Sequence, residues 1–133
     1  IMAENFTCTL VTPEEAVFEV DVTSVTVPAH DGQIGILTNR APLLTKLGYG
    51  KLTVTETGGQ AKTYFVASGF AQMQDNKLSI LTDEAIDTAE LNAQEAQAQL
   101  DAAVAEEAGT PAEQTLKQKK IARARGLVTV TTG

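Results

Sequence analysis

Val25-Thr-Val-Pro-Ala-His-Asp-Gly-Gln-Ile-Gly-Ile-Leu-Thr-Asn-Arg-Ala-Pro-Leu-Leu-Thr-Lys-Leu-Gly-Tyr-Gly-Lys-Leu-Thr-Val54 is the stretch whose reading decides the fold. Two polar turns, Ala29 to Gln33 and Thr38 to Pro42, bracket the short apolar run Ile34 to Leu37. The pair Leu43-Leu44 then leads through Gly48-Tyr-Gly50 into another strand-like segment. No catalytic constellation stands out in this stretch. Its Gly32-Gln-Ile-Gly35 and Gly48-Tyr-Gly50 pairs lack the lysine and the following helix of a phosphate-binding loop, and turn or bulge geometry accounts for them.

Working outward, the flanks read as strands. Phe6, Cys8 and Leu10 alternate with Thr7 and Thr9, the period of a half-buried strand. Thr12-Pro-Glu-Glu15 is a turn, and Ala16, Phe18 and Val20 alternate in a second strand. Val22 to Val27 forms another, closed by Pro28, which cannot donate to a ladder. Downstream, Lys51 to Thr57 and Gln60 to Ala67 flank a Gly58-Gly59 hairpin turn. Ser68-Gly69 reads as a bulge or bend. Phe70 to Gln74 and Lys77 to Thr82 pair around Asp75-Asn76. Short strands with turn signals at this spacing predict an antiparallel sandwich or barrel of about eight to ten strands.

The composition changes near Thr82. Thr88 to Ala108 contains no Gly or Pro and is rich in Ala, Glu, Gln and Leu, which predicts a helix over about 88–108 with Asp87 and Glu90 as a capping pair. Ala89, Ala93, Ala96, Leu100 and Val104 form its expected apolar stripe. Gly109 stops that helix, and Thr110-Pro-Ala-Glu113 starts a second over about 111–125, with Gly126 as its expected cap and 127–133 frayed or extended. The expected division is a β-domain over 1–86 and a two-helix antiparallel hairpin over 87–133. The first helix carries five acids and no bases, whereas the second carries five bases against Glu113. Exposed ion pairs contribute about 0–1 kcal/mol each, and an alanine seam buries little area. A hairpin held in this way is expected to be marginal on its own and able to open.

The bulk numbers exclude several functions. A chain of 133 residues with 43% hydrophobic content supports one domain with an appendage and a real core. The single Cys8 rules out a disulfide within one chain and a cysteine zinc site, and it reads as a small core hydrophobe. A net charge of -7 disfavours nucleic acid as a partner. No apolar run approaches the ~20 residues that cross a bilayer, and the N-terminus lacks a basic-plus-apolar signal pattern, with Met2 the expected natural start and a cytosolic setting the default. His30, the lone histidine, reads as a solvated turn residue, so no catalytic residue, metal site or cofactor is expected. Lys117, Lys119, Lys120, Arg123 and Arg125 form the one dense basic cluster, either a solvated face paired with the acidic helix or a docking surface for an acidic partner. Two other readings are a small β-sandwich hydrolase using His30 and a binding module whose basic helix docks an acidic protein or nucleic acid.

Four motifs in order, Val25-Thr-Val-Pro28, His30-Asp-Gly32, Gly35-Ile-Leu37 and Ala41-Pro-Leu-Leu-Thr45, followed by Ser68-Gly-Phe-Ala71, run through the chain. In this order and spacing the chain resembles the epsilon subunit of bacterial and chloroplast F-type ATP synthases over nearly its whole length. The resemblance implies an α+β protein, a ten-stranded antiparallel β-sandwich followed by the helical hairpin. It implies a non-catalytic rotor subunit of the central stalk that binds the gamma subunit and rests on the c-ring, with no cofactor. The two polar turns, taken as lying at one end of the sandwich, become the candidate c-ring contact: His30, Asp31, Gly32, Gln33, Asn39, Arg40, Ala41 and Pro42. An extended hairpin would reach the alpha/beta catalytic hexamer and inhibit ATP hydrolysis through Lys117, Lys119, Lys120, Arg123 and Arg125. The implied location is peripheral, on the cytoplasmic face of a bacterial inner membrane or the stromal face of a thylakoid. Some relatives bind ATP through Leu/Ile-Asp-x-x-Arg-Ala. Here Asn92 and Glu95 replace the Asp and the Arg, and an anion in place of a cation repels phosphate, so no ATP site is expected. Asn39-Arg40 stands where Gly-His is frequent in the family.

Overall fold

Alternating burial sets the strands, and their lengths follow from how far each alternation runs unbroken. The computed structural model describes residues 5–29 and 32–132, so His30 and Asp31 lie outside the described residues. Strand β1 (Phe6–Val11) buries Phe6, Cys8 and Leu10 and turns Thr7 and Thr9 outward. It is followed by β2 (Ala16–Ala29), β3 (Gly32–Leu37), β4 (Leu43–Glu56), β5 (Ala61–Gln74), β6 (Lys77–Thr82) and β7 (Ala85–Asp87). A 3₁₀ turn (Thr88–Glu90) and helices α1 (Ala93–Ala105) and α2 (Pro111–Thr132) complete the chain.

The described strands number seven, not ten. Three of them, β2, β4 and β5, are fourteen residues long, and each runs through a point where the sequence suggests a break. β2 passes Asp21 without interruption and absorbs the bend as register shifts against β4 between Val22 and Ser24 and between Thr26 and Ala29. β5 passes Ser68-Gly69, where both residues take positive φ and the strand changes partner, from β7 to β6. The pairing is not wholly antiparallel either, because β1 lies parallel to β6 and antiparallel to β2. The pairs β1–β6–β5–β4–β2–β1 therefore close a ring, and β3 hangs on the outer edge of β2. Ring closure satisfies backbone groups that an open sheet would leave exposed. Its interior is the main core, filled by Leu10, Val22, Val25, Val27, Ile36, Leu52, Val54, Met73, Leu78 and Ile80 among others.

The helices depart from expectation at three of their four ends. Asp87 caps the 3₁₀ turn by accepting from the Ala89 N–H at 2.9 Å. The α-helix starts later, at Ala93, capped by Asn92, whose side-chain oxygen accepts from the Gln94 and Glu95 N–H groups at 2.8 and 3.1 Å. Shifting the start moves the stripe: Ala96 and Ala103 are buried, Leu100 is half-buried, and Ala93 and Val104 face solvent. α1 stops at Ala105, ahead of Gly109. Thr110 starts α2 as expected, accepting from the Glu113 N–H at 3.1 Å. At the far end α2 runs on through Gly126 to Thr132. Val and Thr each disfavour helix by roughly 0.5 kcal/mol, but tertiary packing overrides this: Leu127 is buried, and Val128 and Val130 pack with it against Phe65 on the outside of β5.

Candidate functional surfaces

Strand register builds one exposed apolar face. Lys46, Phe70 and Leu81 stand opposite one another across β4, β5 and β6, and Val11 of β1 extends the row from Leu81. In the next outward-facing row Leu44 stands opposite Gln72 and Ser79. Leu44 is 69% exposed, Leu81 55% and Phe70 52%, unusual values for such large apolar groups on one sheet. Beside Phe70 and Leu81 runs an open groove of about 430 Å³, lined also by Pro13, Lys46, Ser68, Gly69, Thr82 and Asp83. The floor is stiff. Gly69 lies against the Leu81 carbonyl so closely that a Cβ would stand 1.9 Å from its oxygen, and the Ser68 hydroxyl donates to Asp83 at 2.9 Å. Alternation in β5 contains this signal, since inward Ala71 and Met73 force Phe70 outward.

The described residues of the two polar turns lie at opposite ends of β3. Gly32 and Gln33 begin β3 and lie exposed beside Tyr49 and Gly50, near the end of α2. Asn39, Arg40, Ala41 and Pro42 are exposed after β3 ends, and the strand between holds the two turns roughly 16 Å apart. Asn39 is tied to a different neighbour: its N–H donates to Asn76 Oδ1 at 2.8 Å, and Asn76 Nδ2 donates back to Asn39 Oδ1 at 3.2 Å. β3 has no strand partner on its outer edge among the described residues, so the described turn residues lie along that edge.

The basic residues of α2 do not form one free face. Lys119 and Arg125 are exposed and Lys117 is half-buried. Lys120 donates to both oxygens of Glu106, the residue that follows α1, at 3.0 and 3.1 Å, an ion pair within the hairpin that the opposite charges lead one to expect. Arg123 reaches further. Its Nε and Nη2 donate to the two oxygens of Glu84 at 3.0 and 2.5 Å, Nη1 donates to Gln99 at 3.0 Å, and the guanidinium lies 5.9 Å from the Phe65 ring centre. The hydrogen bond to Glu84 raises the Arg123 pKa above its ordinary value, against the lowering effect of burial. Nothing in the sequence marks Glu84 as that partner, because it lies in an irregular link between β6 and β7.

The other singled-out groups have structural roles. Cys8 is fully buried, and burial pushes its thiol up to about 12. No group of three or more His, Cys, Asp or Glu among the described residues is placed to hold a metal ion. Asn92 spends its side-chain oxygen on the α1 cap, and Glu95 is exposed in the first turn. No helix among the described residues is long and apolar enough to cross a membrane.

Residues 5–88 match the family model described as the ATP synthase delta/epsilon chain, beta-sandwich domain. The chain is 36% identical over 119 residues to the ATP synthase epsilon chain of Rhodopirellula baltica, covering 90% of this chain and 92% of that one. It is 38% identical over 92 residues to the chloroplastic ATP synthase epsilon chain of Emiliania huxleyi, covering 69% and 70%. Among solved structures, a chain of the Euglena gracilis mitochondrial ATP synthase, determined as an OSCP/F1/c-ring assembly, superposes with a TM-score of 0.84 at 23% identity, over 97% of this chain and 82% of that one. A chain of the central stalk and c-ring of the Tetrahymena thermophila mitochondrial ATP synthase superposes with a TM-score of 0.75 at 18% identity, over 99% and 100%. At these identities the two structures speak to the fold.

Proposed function

This chain belongs to the family of ATP synthase epsilon chains, and we propose that it works as a non-catalytic rotor subunit that couples the catalytic head to the c-ring and restrains ATP hydrolysis through its hairpin. The observation that carries the reading is the exposed apolar pair Phe70–Leu81 with Leu44 in the next row, beside a groove with a stiff floor. A stalk subunit needs such a surface, because torque passes through contact area rather than chemistry. We assign this face to the gamma subunit. The side formed by β3 and its two flanking turns is assigned to the c-ring, which puts Gly32, Gln33, Asn39, Arg40, Ala41 and Pro42 there as neighbours along an edge. The protein then sits peripherally, on the membrane face where the catalytic head projects.

The hairpin supplies the regulation. In the described state it is folded down on β4 and β5 through a seam of Phe65, Ala67, Ala96 and Leu127, with Tyr49, Ile86, Leu91, Val128 and Val130 partly buried around it. Only four described residues of this seam are buried and two of them are alanines, which limits how far the folded state outweighs an extended one. Extension would free Arg123 to join Lys117, Lys119 and Arg125 against an acidic surface of the alpha/beta hexamer, and separation of α2 from α1 would add Lys120. ATP plays no part in the switch, because Asn92 is committed to the cap and Glu95 opposes phosphate. The division is a sandwich over 1–86 that assembles and a hairpin over 87–133 that regulates. Deleting the chain after Asp87 is therefore expected to leave assembly with gamma intact and to raise ATP hydrolysis in the assembled complex. Unchanged hydrolysis would remove the inhibitory role, and lost assembly would remove the division of labour.

A further inference from the structure

We propose that Arg123 is the latch that holds the hairpin closed on the sandwich, and that release of its guanidinium from Glu84 is the step that frees the hairpin. The proposal rests on the two-state reading of the hairpin given above and names the contact that sets its balance.

Three elements meet at this one side chain: Glu84 from the β6–β7 link, Gln99 from α1, and Arg123 itself from α2. Of the ion pairs among the described residues, Lys62–Glu56 lies within the sandwich and Lys120–Glu106 within the hairpin, so Arg123–Glu84 is the one that crosses between them. The receiving side is held firmly. The Glu84 carbonyl accepts from the Ala67 N–H at 3.1 Å, and neighbouring Asp83 accepts from Ser68. Both anchors are on β5, so the Glu84 carboxylate is presented from a fixed position. A planar guanidinium donating two parallel bonds to one carboxylate also fixes direction, which an apolar seam does not.

One turn further along α2, Gly126 lets the helix backbone approach the sandwich: a Cβ there would stand 3.0 Å from both Phe65 Cε1 and Tyr49 Cβ. Leu127 follows, buried in the seam. Arg123, Gly126 and Leu127 thus form one short docking segment, in which Leu127 supplies burial and Arg123 supplies register. The pair is about one third exposed on each side, so salt and competing carboxylates can reach it. Arginine keeps its charge at any physiological pH, so the latch opens by exchange of partner rather than by loss of the cation's charge.

The test uses the full chain with spin labels at Gln72→Cys on β5 and Gln118→Cys on α2, both exposed, and Cys8 left in place because it is buried. Pulsed distance measurements are made on this chain and on Arg123→Gln, Glu84→Gln, Arg123→Lys, and the charge-reversed pair Glu84→Arg with Arg123→Glu. Each Gln variant is expected to raise the ratio of long to short label distances roughly three- to tenfold. Arg123→Lys should raise it less, added salt should raise it in the parent, and the reversed pair should return it toward the parent value. A parent-like distribution in both Gln variants would overturn the latch, as would failure of the reversed pair to restore closure. Amide protection of β5 and β6 is followed in parallel, and if a Gln variant loses it, Arg123→Lys decides. ATP hydrolysis of the assembled complexes separates the two claims: opening without a change in hydrolysis keeps the latch and removes the inhibitory role, and unmoved labels remove the latch whatever hydrolysis does.

Discussion

Gly69 takes φ 120°, and a Cβ there would collide with backbone atoms of Leu81 and Thr82, neither of which can swing aside. Gly69→Ala is therefore expected to destabilise the fold by roughly 2–4 kcal/mol, read from denaturant midpoints. A loss under ~0.5 kcal/mol would mean that the bend relaxes. Cys8 yields a prediction with a definite sign. Its thiol is raised from 9.0 to about 12 by burial, so the folded state favours the protonated form and the unfolded state ionises first. The stability associated with the neutral thiol is complete below pH 9 and falls as pH rises from 9 toward 12, by up to about 1.4 kcal/mol per unit. Cys8→Ala should remove that share of the alkaline slope in pH-dependent unfolding, and an unchanged slope would contradict the assignment. At this scale the sequence is informative where period 2 is unbroken, as in Phe6, Cys8 and Leu10. Arg123 is visible only as a charge, because its partner Glu84 is 39 residues away in a link with no pattern.

α2 shows where an element outruns its local signals. Gly126, followed by Leu and then Val and Thr, reads as a helix end, yet the helix continues with the glycine in close contact with Tyr49 and Phe65. A cap and a close contact both call for glycine, and only the surface opposite distinguishes them. The start of α1 shows the reverse case: Asp87 and Asn92 are both good caps, and the chain uses both, one for a 3₁₀ turn and one for the α-helix. The polar or glycine positions of β2, β4 and β5 that read as breaks in the sequence lie within continuous strands. Gly126→Val is expected to push α2 off the sandwich. Amide protection over 121–131 should fall at least tenfold while β5 and β6 keep theirs, and equal protection would show that Tyr49 and Phe65 make room.

For the whole molecule, the order of strands and then two helices is readable from composition, and the family from the spacing of Ala41-Pro-Leu-Leu-Thr45 and its neighbours. The ring closure through a parallel β1–β6 pair is not, because parallel pairing of distant strands leaves no local mark. The apolar face proposed to meet gamma is equally hidden, since Leu44, Phe70 and Leu81 come from three strands and are brought to one face only by register. That surface carries the central claim, and calorimetric titration of the full chain with a purified gamma subunit from its relatives' complexes tests it most directly. The account predicts saturable one-to-one binding that Phe70→Asp weakens at least tenfold while the sandwich stays folded. Absence of binding, or binding that Phe70→Asp and Leu81→Asp leave undiminished, would contradict it.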